Sequence, residues 1–311
     1  MRIAILGATG VVGSEILKCL ENSSLQPTEL ILMASKESEG KKIETKWGQV
    51  KVTQIRFVEC DLVFSALSTD IAAKILPEFF SRKIHTIDNS SAFRFHRETP
   101  IVVPPINSHR ATSILVANPN CSTAQLAVAT YPILKHFGIE DMFVATYQSV
   151  SGGGKKLISE WQDEDSIWHD NCVPLVGTQK GEKDSVFYTN QEEEKISTEY
   201  AKITSSDVHP RSITVRVSTF RSHGEAVYIK TKRRISRLTL LEALRKFEPH
   251  LILKRAVTPK ESAGNYAVFI GKIEIFDEHS LAMWIVADNL LKGAAYNAVQ
   301  IAEAKLHYGC L

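Results

Sequence analysis

The sequence predicts an α/β fold: a parallel sheet flanked by helices, joined to an α+β domain whose sheet is mainly antiparallel. Three observations carry this. Short apolar runs alternate with helix-period segments from Arg2 to Ile87. A glycine-spaced turn, Gly7-Ala8-Thr9-Gly10-Val11-Val12-Gly13, falls between the first apolar run and the first helical one. Beyond Cys121 that alternation gives way to strands mixing apolar with polar residues, as in sheets with one covered face. At 311 residues the chain exceeds one ordinary core, so two domains are expected.

Arg2–Leu6 reads as a strand, Val11–Leu20 as a helix, and Glu29–Met33 and Leu62–Ser65 as strands. Ile71–Phe80 follows as a helix and His85–Ile87 as a strand, giving right-handed βαβ units. The polar stretch Lys36–Lys51 interrupts them, with weaker strands near Val50–Ile55. Thr123–His136 predicts a long helix, Met142–Val150 an alternating strand, and Gly152-Gly153-Gly154 a turn before another helical pattern. Asp163–Asp184 is polar and poorly periodic. Ile213–Thr219 and Ala226–Thr231 read as strands flanking a loop that holds His223. Ala267–Phe276 and Leu281–Val286 form another strand pair, and Asn289–Leu306 reads as one helix. A terminal helix commonly docks on the first domain. The expected division is therefore 1–120 with 288–311 around a second domain, 121–287.

Composition bounds the function. With 44% hydrophobic and 23% charged residues the chain is of the soluble globular class. No stretch approaches a membrane span, and Met1–Gly7 reads as a strand and not a signal peptide, so a cytoplasmic protein without membrane partners is expected. A net charge of +2 argues against nucleic acid. The basic run Lys230–Arg237 lacks an aromatic platform and reads as a solvated strand end. The five cysteines, Cys19, Cys60, Cys121, Cys172 and Cys310, show no CxxC or Cys/His spacing. Neither a disulfide framework nor a metal site is indicated.

The turn from Gly7 to Gly13 has GxxGxxG spacing in strand–turn–helix context, which predicts a Rossmann-type dinucleotide site. Gly7 and Gly10 permit close approach to a pyrophosphate, and Gly13 permits close helix–sheet packing. Thr9, Val11 and Val12 complete the turn, with phosphates on the helix N-terminus. Ser35 and Lys36, after the second strand, suit a ribose 2′-phosphate and hence NADP; Glu37 and Glu39 suit a free 2′-hydroxyl and leave NAD open. Solvated loop charges are the alternative.

Asn118-Pro119-Asn120-Cys121-Ser122-Thr123 sets one cysteine where an extended segment gives way to a helix. At a helix N-terminus, free amide N–H groups and the dipole lower a thiol pKa and offer donors to an oxyanion. Cys121 is therefore a candidate nucleophile, with a buried structural thiol as the alternative.

The motifs GATGVVG (7–13), DNSSAFR (88–94), NPNCST (118–123), TYQSVSGGG (146–154), EEEKISTEYAKI (192–203), RVSTFRSHGEAV (216–227) and DNLLKGAAYNAVQIAE (288–303) together resemble those of the aspartate-β-semialdehyde dehydrogenase family, over nearly the whole chain. The resemblance implies NADP(H)- and phosphate-dependent interconversion of L-aspartyl 4-phosphate and L-aspartate 4-semialdehyde through a cysteine thioester. It places the chain in lysine/diaminopimelate, threonine and methionine biosynthesis, and implies a homodimer. It also implies Cys121 as nucleophile, His223 as acid/base and Gln148 as the residue orienting the acyl group. Arg216 would grip the substrate α-carboxylate and Glu192 the ammonium. Lys195, Arg94 and Asn120 would meet phosphate, and Asn297 the nicotinamide carboxamide. Taken alone, Gln148 reads as a strand-surface residue, His223 as a surface-loop histidine, Glu192 and Lys195 as an i,i+3 ion pair, and Asn297 as a helix-surface amide. The chain departs from the family pattern in Ser218 for proline, Gly224 for serine, and Glu37-Ser38-Glu39-Gly40 for Arg-Ser-Ala-Gly. The stretch 171–188 keeps Asn171 and Pro174 but otherwise diverges. Rival readings are a related acyl-phosphate or acyl-CoA reductase, or a catalytically silent paralogue that binds.

Overall fold

The computed structural model describes residues 1–174, 176–181 and 185–311. They form two units: Met1–Pro119 with Ala294–Leu311, and Asn120–Gly293.

The first unit is a parallel α/β layer. Its elements are β1 (Arg2–Leu6), α1 (Val11–Glu21), β2 (Glu29–Ala34), the hairpin β3 (Lys42–Thr45) and β4 (Gly48–Lys51), β5 (Thr53–Gln54), β6 (Leu62–Ser65), α2 (Thr69–Ser81), β7 (His85–Asp88) and β8 (Leu115–Ala117). Six strands pair in the order β5-β2-β1-β6-β7-β8, every pairing parallel. Ile3–Leu6 and Leu62–Ser65 are fully buried, as continuous apolar strands must be when helices cover both faces. The C-terminal helix, Tyr296–His307, packs on α1 and β7 of this unit. Its Lys305 is buried and donates to the carbonyls of Ala111 (2.8 Å) and Ser113.

The second unit comprises α3 (Cys121–Phe137), β9 (Ile139–Gln148), α4 (Gly154–Trp161), β10 (Cys172–Val173), the pair β11 (Gln179–Gly181) and β12 (Tyr188–Asn190), α5 (Gln191–Thr204), β13 (Arg211–Val217), β14 (His223–Thr231), α6 (Arg237–Arg245), β15 (Leu251–Leu253), α7 (Pro259–Ser262), β16 (Val268–Ile275) and β17 (Ser280–Ala287). Its seven-stranded sheet runs β10-β13-β9-β14-β17-β16-β15, antiparallel except for β13–β9 and β15–β16. The expected fold class is thus observed.

Strand alternation places the candidate chemistry. On β9 the even-numbered residues Met142, Val144, Thr146 and Gln148 are buried; on β14 the odd-numbered His223, Glu225, Val227 and Ile229; on β13, Thr214 and Arg216. Helix α3 packs against β9, β14 and β17. Register sets Arg216 opposite Gln148, and Gly224 opposite Tyr147.

Three expectations about elements are corrected. Cys121 is the first residue of α3, and the cap is Asn120, whose Oδ1 accepts from Ser122 N (3.0 Å) and Thr123 N (3.2 Å). His223 begins β14 and is fully buried, because the ladder to Ala287 starts there and leaves no loop at this position. Asn289–Leu306 is not one helix: Asp288 accepts from the N–H groups of Leu290 (2.9 Å) and Leu291 (3.2 Å), and a π-turn, Leu291–Ala295, precedes the helix proper. Part of the divergent stretch, Leu175 and residues 182–184, lies outside the described residues.

Candidate active site

Cys121 Sγ stands 3.1 Å from His223 Nε2. The thiol is half-buried and the imidazole fully buried. Burial, then the nearby Arg216 cation, push His223 well below the usual histidine range, so the ring is neutral at pH 7. Ser149 N–H points at Nδ1 over 2.9 Å, so Nδ1 accepts and the neutral ring carries its proton on Nε2, toward sulfur. The free first-turn amides expected beside Cys121 are instead engaged, Ser122 N and Thr123 N by the cap, and Asn120 N by Glu199 (2.6 Å). Negative charge on sulfur is favoured here by Nε2–H, by Arg216 and by the dipole of the 17-residue α3.

Glu192 is the hub of the surrounding polar cluster. Its carboxylate accepts from Asn120 Nδ2 (2.6 Å), Lys195 Nζ (3.3 Å) and Gln148 Nε2 (3.4 Å). Burial pushes this carboxyl up, but Lys195, Asn120 and Arg216 outweigh it and hold it below its ordinary value. Lys195 and Glu192 therefore form an enclosed pair, with side chains 14% and 10% exposed. Gln148, expected on a solvent face by its residue type alone, is buried and donates to Ser122 Oγ at 2.8 Å. Arg216 Nη1 donates to the Ser149 carbonyl at 2.6 Å. Asn120, anticipated at phosphate, has both ends of its amide engaged, as cap and as partner of Glu192.

Two glycines make room for these groups. A Cβ on Gly293 would stand 2.7 Å from Cys121 Cβ, and one on Gly152 3.1 Å from both Arg216 Nη1 and His223 Cε1. Sequence reasoning did not single out Gly293, Ser149, Glu199 or Asn289, and read Gly152 only as part of a turn. Asn289 Oδ1 accepts from Ser149 Oγ (3.1 Å), Ser151 Oγ (3.3 Å) and Ser222 N (2.9 Å). Such contacts span up to 140 residues, though Ser149 and Asn289 lie inside quoted motifs.

Deeper on β14, both carboxyl oxygens of buried Glu225 lack a hydrogen-bond donor, as does Oε1 of Gln125. Burial pushes Glu225 well above its ordinary value, against a pull from Gln125.

The remaining predicted residues lie in the first unit. Gly7 has φ +82°, and a Cβ there would meet Ala66 O at 2.6 Å; a Cβ on Gly13 would meet Gly7 O at 2.1 Å. Both positions demand glycine, and no side chain caps the first turn of α1, unlike α3. Uncapped N–H groups at a glycine turn fit a pyrophosphate. Val11 and Val12 open α1 after Gly10, and Thr9 Oγ1 donates to Ser38 Oγ (3.1 Å), tying this turn to the loop after β2. Ser35 and Lys36 start that loop, where the Ser35 hydroxyl holds the exposed Glu37 carboxyl below its ordinary value. Arg94 is buried, donating to the carbonyls of Asn118 (2.8 Å) and Asn89 (2.7 Å). Asn297 is also buried and not a helix-surface amide; its Nδ2 donates to Val102 O (2.9 Å) and Asn118 Oδ1 (2.7 Å). No group of three potential metal ligands and no helix long and apolar enough to cross a membrane occurs among the described residues.

With a glycine-turn parallel-sheet unit and a second unit carrying a thiol–imidazole pair, the chain matches the two family models of a semialdehyde dehydrogenase. The family model described as "Semialdehyde dehydrogenase, NAD binding domain" matches residues 2–114, and "Semialdehyde dehydrogenase, dimerisation domain" matches 131–292. The chain is 34% identical to an aspartate-semialdehyde dehydrogenase of Aquifex aeolicus, over 100% of this chain and 99% of that one. It is 32% identical to one of Bacillus subtilis, over 98% and 97%. The crystal structure of Vibrio cholerae aspartate semialdehyde dehydrogenase II complexed with ASA superposes with a TM-score of 0.91, at 31% identity and 98% coverage of each chain. The chain belongs to the aspartate-semialdehyde dehydrogenase family.

Proposed function

We propose that this enzyme interconverts L-aspartyl 4-phosphate and L-aspartate 4-semialdehyde, with phosphate as co-substrate, through a thioester on Cys121 and with NADP(H). The observation that carries this reading is the 3.1 Å contact between Cys121 Sγ and His223 Nε2 at the start of α3.

In the oxidative direction the Cys121 sulfur attacks the aldehyde carbon. A C–S bond forms, and His223 passes the thiol proton to the carbonyl oxygen as the hemithioacetal develops. His223 then recovers that proton as the thioester forms. A nicotinamide dinucleotide held at the turn Gly7 to Gly13 would supply the hydride acceptor for this oxidation. Phosphate oxygen finally attacks the thioester carbon, the C–S bond breaks, and aspartyl phosphate leaves. Gln148 orients the acyl group. Arg216 grips the α-carboxylate through a planar guanidinium, and Glu192, kept ionised by Lys195, faces the ammonium. Lys195, Arg94 and Asn120 serve phosphate.

In the first unit, residues Gly7 to Gly13 hold the pyrophosphate, Ser35 and Lys36 the ribose 2′-phosphate, and Asn297 the nicotinamide carboxamide. The match to a dimerisation domain supports a homodimer. The protein would act in the cytoplasm, in synthesis of lysine or diaminopimelate, threonine and methionine, without nucleic-acid or membrane partners.

Purified protein should reduce NADP with aspartate semialdehyde only when phosphate is added; robust phosphate-independent turnover overturns the reading. Initial rates with NADP should exceed those with NAD. An NAD advantage of about tenfold or more would instead assign Glu37 to the ribose hydroxyls.

A further inference from the structure

His223 Nδ1 faces two groups of the same residue: Ser149 N–H at 2.9 Å and Ser149 Oγ at 3.1 Å. The first is a donor only. The second is free to accept, because the Ser149 hydroxyl proton is directed at Asn289 Oδ1, 3.1 Å away. Asn289 is in turn fixed: Oδ1 also accepts from Ser222 N (2.9 Å), and Nδ2 donates to Ser151 Oγ (3.1 Å). All four side chains are buried.

A histidine that accepts at Nδ1 from Ser149 N–H already carries its proton on Nε2 and has no lone pair for the Cys121 proton. To act as base, the ring must carry its proton on Nδ1, and that proton then needs an acceptor. We propose that Ser149 Oγ, aimed by Asn289 Oδ1, is this acceptor and is a positioning residue that makes the base form and the cation of His223 accessible. In the resting form Ser149 N–H holds the ring as a donor to sulfur. In the working form the ring has released its Nε2 proton to solvent water and taken one from solvent water at Nδ1, giving up the Ser149 N–H contact; Nδ1–H is donated to Ser149 Oγ, and Nε2 turns a lone pair to the thiol. The thiol proton then moves from Sγ to Nε2, leaving thiolate and imidazolium, with no other bond changed. The groups around the ring explain why an added acceptor matters. Cys121 approaches from α3 and Arg216, a cation opposing imidazolium, from β13. Glu192 on α5 is engaged by Lys195, Asp288 by Arg221 at 2.7 Å, and burial pushes Glu225, on the same strand, well above its ordinary value.

The catalytic part of this inference rests on the function proposed above; the tautomer claim does not, so the test has an arm without substrate. Nitrogen NMR of histidine-labelled Ser149→Ala protein should show Nδ1 unprotonated to lower pH than in the wild type, because the variant keeps the backbone N–H and loses the acceptor. The pH dependence of Cys121 alkylation should show the His223 step moved down by about one unit. Turnover should fall about tenfold in kcat with KM changed less than about threefold. Ser149→Thr, which retains a hydroxyl, should restore the wild-type profile, and Asn289→Asp, a stronger acceptor for the Ser149 proton, should move the step up. Ser149→Ala with an unshifted His223 step in both NMR and alkylation overturns the proposal, as does an Asn289→Asp shift in the same direction as that of Ser149→Ala. A preparation that shows the NMR shift but no aspartate-semialdehyde activity supports the tautomer device and refutes the substrate assignment alone.

Discussion

Replacing Gly293 with alanine tests how tightly the nucleophile is held. The added Cβ would lie 2.7 Å from Cys121 Cβ and 3.1 Å from Cys121 Cα, against an ordinary contact of about 3.5–4 Å. Gly293 is not among the glycines with positive φ, so backbone strain adds nothing and the effect is steric. The colliding atoms are the first residue of α3 and not a flexible tip, so Cys121 must move by about 1 Å. Displacement of that size costs up to about 100-fold in turnover, while overpacking costs about 1–3 kcal/mol of stability. We expect kcat/KM for phosphate-dependent oxidation to fall about 10- to 100-fold. The thermal midpoint should fall by about 2–12 °C, at about 2–4 °C per kcal/mol for a unit of this size. A Gly293→Ala protein with wild-type kcat/KM would refute the claim that this glycine sets the sulfur's position.

Further outcomes follow from the same geometry. Gly224→Ser, which restores the family residue, should destabilise by about 1–3 kcal/mol, because a Cβ there would stand 2.2 Å from the Trp284 ring; calorimetry of Gly224→Ser combined with Trp284→Ala should show non-additive recovery, and strict additivity would contradict the clash. Asn120→Ala should cost about 1 kcal/mol of cap energy and, by removing a donor to Glu192, reduce kcat; Asn120→Ser should return the stability without the rate, as read by melting and steady-state kinetics. Glu225 bears on pH. A carboxyl whose native value is raised contributes stability that is fully present below the unfolded value of about 4.5 and is lost as pH rises through the native one, by up to about 1.4 kcal/mol per unit. Glu225→Gln removes the titrating group and keeps a side chain of the same shape, so denaturant titrations should show higher stability than wild type at pH 7 and a flatter profile above pH 4.5; an unchanged slope would contradict a raised value for Glu225.

What the sequence made legible follows the range of the interactions involved. The glycines at 7 and 13 announced themselves because each answers a local backbone demand, a positive φ or a contact of 2.1 Å, that no other residue meets. The parallel sheet was legible from its apolar runs. The start of α3 was readable to within two residues, Thr123 for Cys121, since the amide that accepts from Ser122 N and Thr123 N and so sets the first turn lies on Asn120. His223 looked like a loop residue because only pairing with Ala287, 64 positions away, makes its segment a strand. Asn289 and Ser149 carry no signature of their own; contacts across 140 residues bring them together. The break before Tyr296 escaped periodicity analysis because a side-chain acceptor, Asp288, dictates it and not hydrophobic spacing.

The account turns on carbon bonded to sulfur at one position. Rapid quenching during turnover with aspartyl phosphate, followed by peptide mass mapping, would locate that bond even with Cys172 exposed as a competitor. The peptide bearing Cys121 should gain the mass of an aspartyl group, lose it when the nicotinamide is supplied in reduced form, and gain nothing in Cys121→Ser protein, which should be inactive. Sustained turnover with no modified Cys121, or with serine in its place, would contradict the account.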